Sequence, residues 1–309
     1  MMPQARLPTA LAAFAMLQTT WSSSLSPRAC DCWKTKEDGL LFTNYKMIDF
    51  RSLTNYVGSV PSVLEDYDAN ADAQTTSDYF NSATWSDFFG LQTWGTDDTA
   101  VRMINSKNNV YLQQDTDSST YLTLRTHRSA DFQSAAEFDS NDDSFTSVSM
   151  RVRARVHGDA GACGGIFTFK AEEDHTQHES DIEILTYESS STVQYTTHPE
   201  EETLEGEGEW NIATDMPNGA EWTDWHEYRM DWTEPTTTYY VDADQNGQLH
   251  HEVTQFPSNL CFNMWSQGND EWEKTMSVGG TAYMDFQYIE VAYNTSAGGA
   301  SCTNICTLD

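Results

Sequence analysis

From Ser147 to Val156 the chain reads SVSMRVRARV, with Val148, Met150, Val152, Ala154 and Val156 on one side and serine and arginine on the other. Successive side chains leave a strand on opposite faces, so this alternation predicts a strand with one face in a core. Shorter runs rich in β-branched and aromatic residues fall at 121–125, 166–169, 193–196, 228–232, 238–241, 260–265 and 283–291. Polar turn residues separate them, and no stretch carries the 3.6-residue period of a long helix. Many strands at short spacing, without interleaved helices, predict an all-β fold: a jelly-roll sandwich of two curved antiparallel sheets. The start of the chain differs. One arginine precedes an apolar run over 7–17 and then small residues, the plan of a secretory signal peptide expected over residues 1–24. Pro8 interrupts the run, which falls short of the roughly 20 residues of a membrane span. Residues 25–309 hold no Pro/Gly-rich linker and are expected to form a single domain, exported and monomeric. The C-terminal SCTNICTLD lacks the hydrophobic tail of a lipid-anchor signal.

Two acidic turn segments invite a calcium reading. In YYVDADQNGQLHHEV, Asp242, Asp244, Asn246 and Gly247 mimic the start of an EF-hand loop, but Val253 stands where the bidentate glutamate belongs. Asn-Gly between β-type runs is a strong hairpin signal, so a turn is expected there. Asp66, Asp68, Asn70 and Asp72 fail in the same way, with Ser77 at the last position. No metal and no cofactor are expected.

Charge narrows the partners. Asp and Glu number 48 against 16 Lys and Arg, a formal charge of −32, which argues against nucleic acid or an anionic membrane and leaves neutral polymers. Six cysteines (Cys30, Cys32, Cys163, Cys261, Cys302, Cys306) in an exported chain favour disulfides over metal ligation. Cys30 and Cys32 are too close for a bond with each other, and pairing with Cys302 and Cys306 would tie the two ends together. Cys163 with Cys261 would then make a third bridge, although spacing alone does not select among the pairings. Asn294-Thr295-Ser296 is a glycosylation acceptor sequence.

The candidate chemistry lies in His178-Glu179-Ser180-Asp181-Ile182-Glu183-Ile184-Leu185. In a strand, Glu179, Asp181 and Glu183 share one face, while Ser180, Ile182 and Ile184 point the other way. Adjacent carboxylates raise one another's pKa, a cost for a scaffold and a resource for acid/base chemistry. A retaining glycosidase needs such a pair, one ionised as nucleophile and one protonated as acid.

Glu179-Ser180-Asp181-Ile182-Glu183 resembles the ExDxE motif of glycoside hydrolase family 16. The preceding SVSMRVRARV and GACGGIFTF, the block from Trp225 through Tyr228 to Trp232 and Asp242, the stretch Asn263-Met264-Trp265-Ser266-Gln267-Gly268 with Trp272, and Met284 to Tyr293 resemble further parts of that family. Within it the chain is similar to a secreted fungal group with QESDIEILT-like strands. The resemblance implies a concanavalin A-like jelly roll and a secreted retaining endo-glycosidase acting on β-1,3- and/or β-1,4-linked glucans. It assigns Glu179 as nucleophile, Asp181 as its helper and Glu183 as acid/base. ExDxE lacks the extra residue of the ExDxxE form, so the strand need not bulge. Ser180 departs from the aliphatic residue usual in the motif. Trp265 and Trp272, and more weakly Trp210 in GEGEWN, are candidate platforms for sugar rings, and Asn263 for a sugar hydroxyl. His175 and His178 beside Glu179 and Asp181 suggest a metal, but His178 faces away from Glu179 and no HExxH is present. Two other readings use the same fold: a cell-wall transglycosylase on the same carboxylates, and a non-catalytic carbohydrate-binding protein.

Overall fold

A computed structural model describes residues 30–308, apart from 118, 174–175, 199–209, 251–252, 255 and 300. The leader expected over 1–24, and His175, lie outside the described residues. The strands in chain order begin with β1 (Cys32–Thr35), β2 (Leu41–Phe42), β3 (Asn44–Asp49), β4 (Phe89–Leu91), β5 (Gly95–Thr96), β6 (Met103–Asn105) and β7 (Val110–Gln114). There follow β8 (Thr120–Arg128), β9 (Gln133–Ser140), β10 (Phe145–Gly158), β11 (Cys163–Ala171), β12 (Gln177–Leu185), β13 (Thr192–His198) and β14 (Asn211–Asp215). The last are β15 (His226–Thr233), β16 (Thr236–Val241), β17 (Asp244–Leu249), β18 (Asn259–Trp265), β19 (Thr281–Thr295) and β20 (Ile305–Leu308). Each run predicted from alternation falls inside one of them.

One curved sheet runs β4–β9–β18–β11–β12–β13–β14, antiparallel at every step. The supporting sheet runs β17–β16–β15–β10–β19. Its far edge is shared: β8 pairs with the first half of β19 and β3 with the second. Between the sheets lie Val148, Met150, Val152, Ala154 and Val156 of β10, Ile182 and Ile184 of β12, and Leu260, Phe262 and Met264 of β18, all buried. Each large aliphatic or aromatic side chain so placed contributes about 1.5–3 kcal/mol from burial. Ser180, the departure from the family motif, also faces inward, where its hydroxyl lies 3.1 Å from Thr237 Oγ1 of β16. The register of β12 with β11 is unbroken, so the ExDxE strand carries no bulge there.

Two local features differ from the pattern expected. In β19, Met284 and Phe286 face the core and so do Ile289 and Val291, although strict alternation would separate the pairs. The register slips between Arg153 and Ala154 of β10, leaving Gln287 as an extra residue that returns the second half of β19 to the core face. The β16–β17 hairpin exists, but its turn is at Asp242 and Ala243, both with positive φ (50° and 70°), rather than at Asn246-Gly247. Asp242 supports that turn by accepting from Glu227 N (3.0 Å) and pairing with His226 (2.6 Å). Asn246 falls at a register shift within β17, and its amide donates to Tyr195 Oη. In the other acidic segment, Asp66 accepts from Asp68 N ahead of a short 3-10 turn over Asp68–Asp72.

The chain ends meet in a separate small sheet, β2–β1–β20, with Phe42, Ala292 and Leu308 beneath it. Cys30–Cys306 joins the residue two before β1 to β20, and Cys32–Cys302 joins β1 to the segment just before β20, closing sequence loops of 276 and 270 residues. Bridges over loops this long stabilise by restricting the unfolded chain, typically by about 2–4 kcal/mol. The third expected bridge does not form, because Cys163 and Cys261 are both free and buried. On neighbouring strands Cys163 stands opposite Trp265 and Cys261 opposite Phe167. That offset puts their Cα atoms roughly 13 Å apart along the strands, beyond the about 7 Å that a disulfide spans.

Candidate active site

The face of the first sheet that points away from the core forms an open cleft of about 470 Å³. Its floor is laid out in rows across the strands. One row holds Glu137 (β9), Asn263 (β18), Gly165 (β11), Glu183 (β12) and Gln194 (β13). The next holds Asp139, Cys261, Phe167, Asp181 and Thr196, and a third holds Asn259, Phe169, Glu179 and His198. The alternation that sends Ile182 and Ile184 inward therefore brings Glu179, Asp181 and Glu183 together in the cleft, as the sequence predicts.

Around the three carboxylates the neighbours differ. Asp181 is only 3% exposed, and His198 Nε2 stands 3.6 Å from its Oδ2 and 4.0 Å from Glu179 Oε2. Glu183 Oε1 accepts from the Trp272 indole N–H (3.1 Å) and from the Cys163 thiol (3.2 Å). Burial and then the Glu183 charge push the Cys163 thiol well above its usual range, so it stays protonated. Among the described residues, the one group of His, Cys, Asp and Glu atoms close enough to share a cation is Glu179, Asp181 and His198, all within 4.8 Å of one another. His178 is not part of it. Its ring packs against Phe256 at 4.6 Å, on the other side of the strand from Glu179.

Trp265 and Asn263 line the cleft as expected. Trp272 is placed differently: it is not among the residues that line the cleft, and its indole N–H donates to Glu183. Trp210 lies beyond the carboxylates, with its ring 6.4 Å from that of His198. Asn294 is in strand β19, where its amide nitrogen donates to Leu41 O (3.0 Å) and Ser147 Oγ (3.1 Å); a glycan there would replace one of the two amide hydrogens and so remove one of these bonds.

The opposite wall was not anticipated. Glu137 and Asp139 share the cleft face of β9, roughly 14 Å from β12 at three strand spacings. The Trp94 indole, 48% exposed, donates to Glu137 Oε1 (2.7 Å), and Asn263 Nδ2 lies 3.5 Å from Oε2. Burial, then the charge of Asp139, pushes the Glu137 carboxyl up to about 8, against the pull of those hydrogen bonds. Burial likewise raises Asp139 to about 6. Phe167 and Phe169, half-buried, supply apolar floor between the two walls. The i, i+2 carboxylates of Ala-Glu-Phe-Asp-Ser carry the same signal as Glu179 and Asp181. Trp94 sits in a short irregular connection with no such pattern.

A curved antiparallel sandwich with a carboxylate-lined open cleft across one sheet is the architecture of polysaccharide-cutting jelly rolls. Residues 97–290, more than half of the chain, match the family model of glycosyl hydrolases family 16, and the chain belongs to that family. No curated protein matches the sequence. Among solved structures, the fold is similar to a β-glucanase of Bacillus licheniformis (TM-score 0.55, 18% identity, 67% of this chain and 92% of that one). It is similar to a prokaryotic β-1,3-1,4-glucanase (lichenase) from a mouse hindgut metagenome (0.57, 16%, 82% and 99%). An endo-β-1,3-glucanase of Pyrococcus furiosus gives 0.56 at 12% identity, covering 86% and 99%.

Proposed function

We propose that this protein is an exported endo-acting glycosidase that cuts β-1,3- and/or β-1,4-linked glucan with retention of configuration. The observation that carries the reading is the placement of Glu179, Asp181 and Glu183 side by side on the cleft face of one strand, in a member of a glycosidase family. Glu183 gives its proton to the glycosidic oxygen as the Glu179 carboxylate bonds to the anomeric carbon, and the leaving chain departs with a free hydroxyl. Glu183, now ionised, takes a proton from water, which attacks the anomeric carbon, releases Glu179 and completes hydrolysis. Asp181, buried between them and paired with His198, holds charge beside Glu179. Phe167, Phe169, Trp94 and Trp265 give sugar rings apolar surface, while Glu137 and Asn263 meet hydroxyls. The glucanases of like fold support this substrate class, and the two disulfides support export to an oxidising compartment.

The test is product analysis with mixed-linkage glucan, laminarin, xyloglucan and chitin oligomers. Rapid loss of viscosity with short oligosaccharides from a β-glucan is the expected result. Transfer products without shortening would make the protein a transglycosylase, and binding without any product would make it a binding protein.

A further inference from the structure

We propose that Trp272 and Cys163 form a donor pair that positions Glu183 and sets its proton affinity, an inference that rests on the reading of Glu183 as acid/base. Both donors converge on one oxygen, Oε1, at 3.1 Å from the indole nitrogen and 3.2 Å from the thiol sulfur. They come from different elements. Cys163 opens β11, two residues before Gly165, which stands directly across from Glu183. Gly165 has no side chain, and the Asn263 amide takes that place: a Cβ there would stand 2.5 Å from Asn263 Oδ1. Trp272 comes from the loop after β18, and that loop is braced from within. Glu273, fully buried, accepts from Gln267 N (2.9 Å) and Asn269 N (3.0 Å), and Trp272 N donates to Asn269 O (3.1 Å).

Hydrogen bonds to a carboxylate favour its ionised form, against burial and the negative charge of Asp181. An acid that must also serve as base needs those influences balanced, since it is protonated in the first step and ionised in the second. A thiol suits this place because it is a weak donor, and burial keeps it protonated at working pH. It is also out of reach of Cys261, so oxidation between the two does not consume it. The pair accounts for two features otherwise without a role, an indole N–H aimed at a carboxylate and a free buried thiol beside it.

The test is a titration of the Glu183 carboxyl carbon by NMR in protein labelled with carbon-13 at glutamate carboxyls, the resonance being the one that Glu183→Gln removes. Cys163→Val keeps volume and removes the donor, and it is expected to raise the Glu183 pKa by about half a unit or more. Cys163→Ser keeps a donor and is expected to leave the value at or below that of the wild type. Trp272→Phe is expected to raise it, and the basic limb of kcat/KM should follow each variant. Equal values in wild type, Val and Ser, or equal shifts in Val and Ser, would overturn the donor role. If the titration shifts as expected but no glucan is cut, the acid/base reading fails and the donor pair stands. If glucan is cut and the titration does not change, the donor pair fails and the acid/base reading stands.

Discussion

Glu179→Gln is expected to lower kcat on a cleaved β-glucan by at least about a thousandfold, because an amide cannot form the glycosyl ester on which a double displacement depends. The substitution is nearly isosteric and sits on the cleft face of β12, so the core of Ile182 and Ile184 behind it is untouched. Glu183→Gln is expected to cost about 10²–10⁴ on polysaccharide, the usual contribution of a positioned proton donor. On an aryl glycoside whose phenolate leaves without a proton, that loss shrinks for Glu183→Gln but not for Glu179→Gln. Steady-state kinetics of both variants on both substrates separates the roles. Equal losses on the two substrates in both variants would leave neither carboxylate as the proton donor.

The second large effect is on stability. Glu137 has its folded-state pKa raised to about 8 and Asp139 to about 6, both first by burial. Between their unfolded and folded values the folded chain holds protons that the unfolded chain has lost, so raising pH favours unfolding. Their contribution is complete below the unfolded carboxyl values and is lost as pH rises through about 6 for Asp139 and about 8 for Glu137. The melting temperature is therefore expected to fall between pH 5 and pH 8.5, by roughly 4–8 °C for a change on the order of 2 kcal/mol. Self-repulsion in a chain of net charge −32 acts in the same direction, so the decisive comparison is with Glu137→Gln. That variant stays neutral in both states and is expected to show a flatter pH profile by thermal denaturation. A profile as steep as that of the wild type would mean that Glu137 is already ionised in the fold.

What could be read in advance follows from period. Ser147–Val156 and Glu179–Glu183 each repeat every two residues, and a strand converts that repeat directly into a face, so both the core side of β10 and the acid side of β12 were legible. Glu137 and Asp139 obey the same rule, but two carboxylates spaced by one residue are common in so acidic a chain, and only the pairing of β9 with β18 shows that they face Glu183. Long-range placement hid the rest. Nothing local puts His198 beside Asp181, or turns the edge of Trp272 toward Glu183, since both depend on pairing or loop geometry across the sheet. The terminal bridges followed from the closeness of Cys30 to Cys32, whereas pairing Cys163 with Cys261 by elimination ignored register, which holds them four residues apart along adjacent strands. The bulge at Gln287 left no mark either, because a run of aromatic and aliphatic residues reads as buried on whichever face it falls.

The most direct measurement is proton NMR of the anomeric region during the first minutes of cleavage of mixed-linkage glucan or laminarin, before mutarotation mixes the products. The double displacement through Glu179 predicts that the new reducing end appears first as the β-anomer. Initial release of the α-anomer would show a single displacement by water and would remove Glu179 as nucleophile.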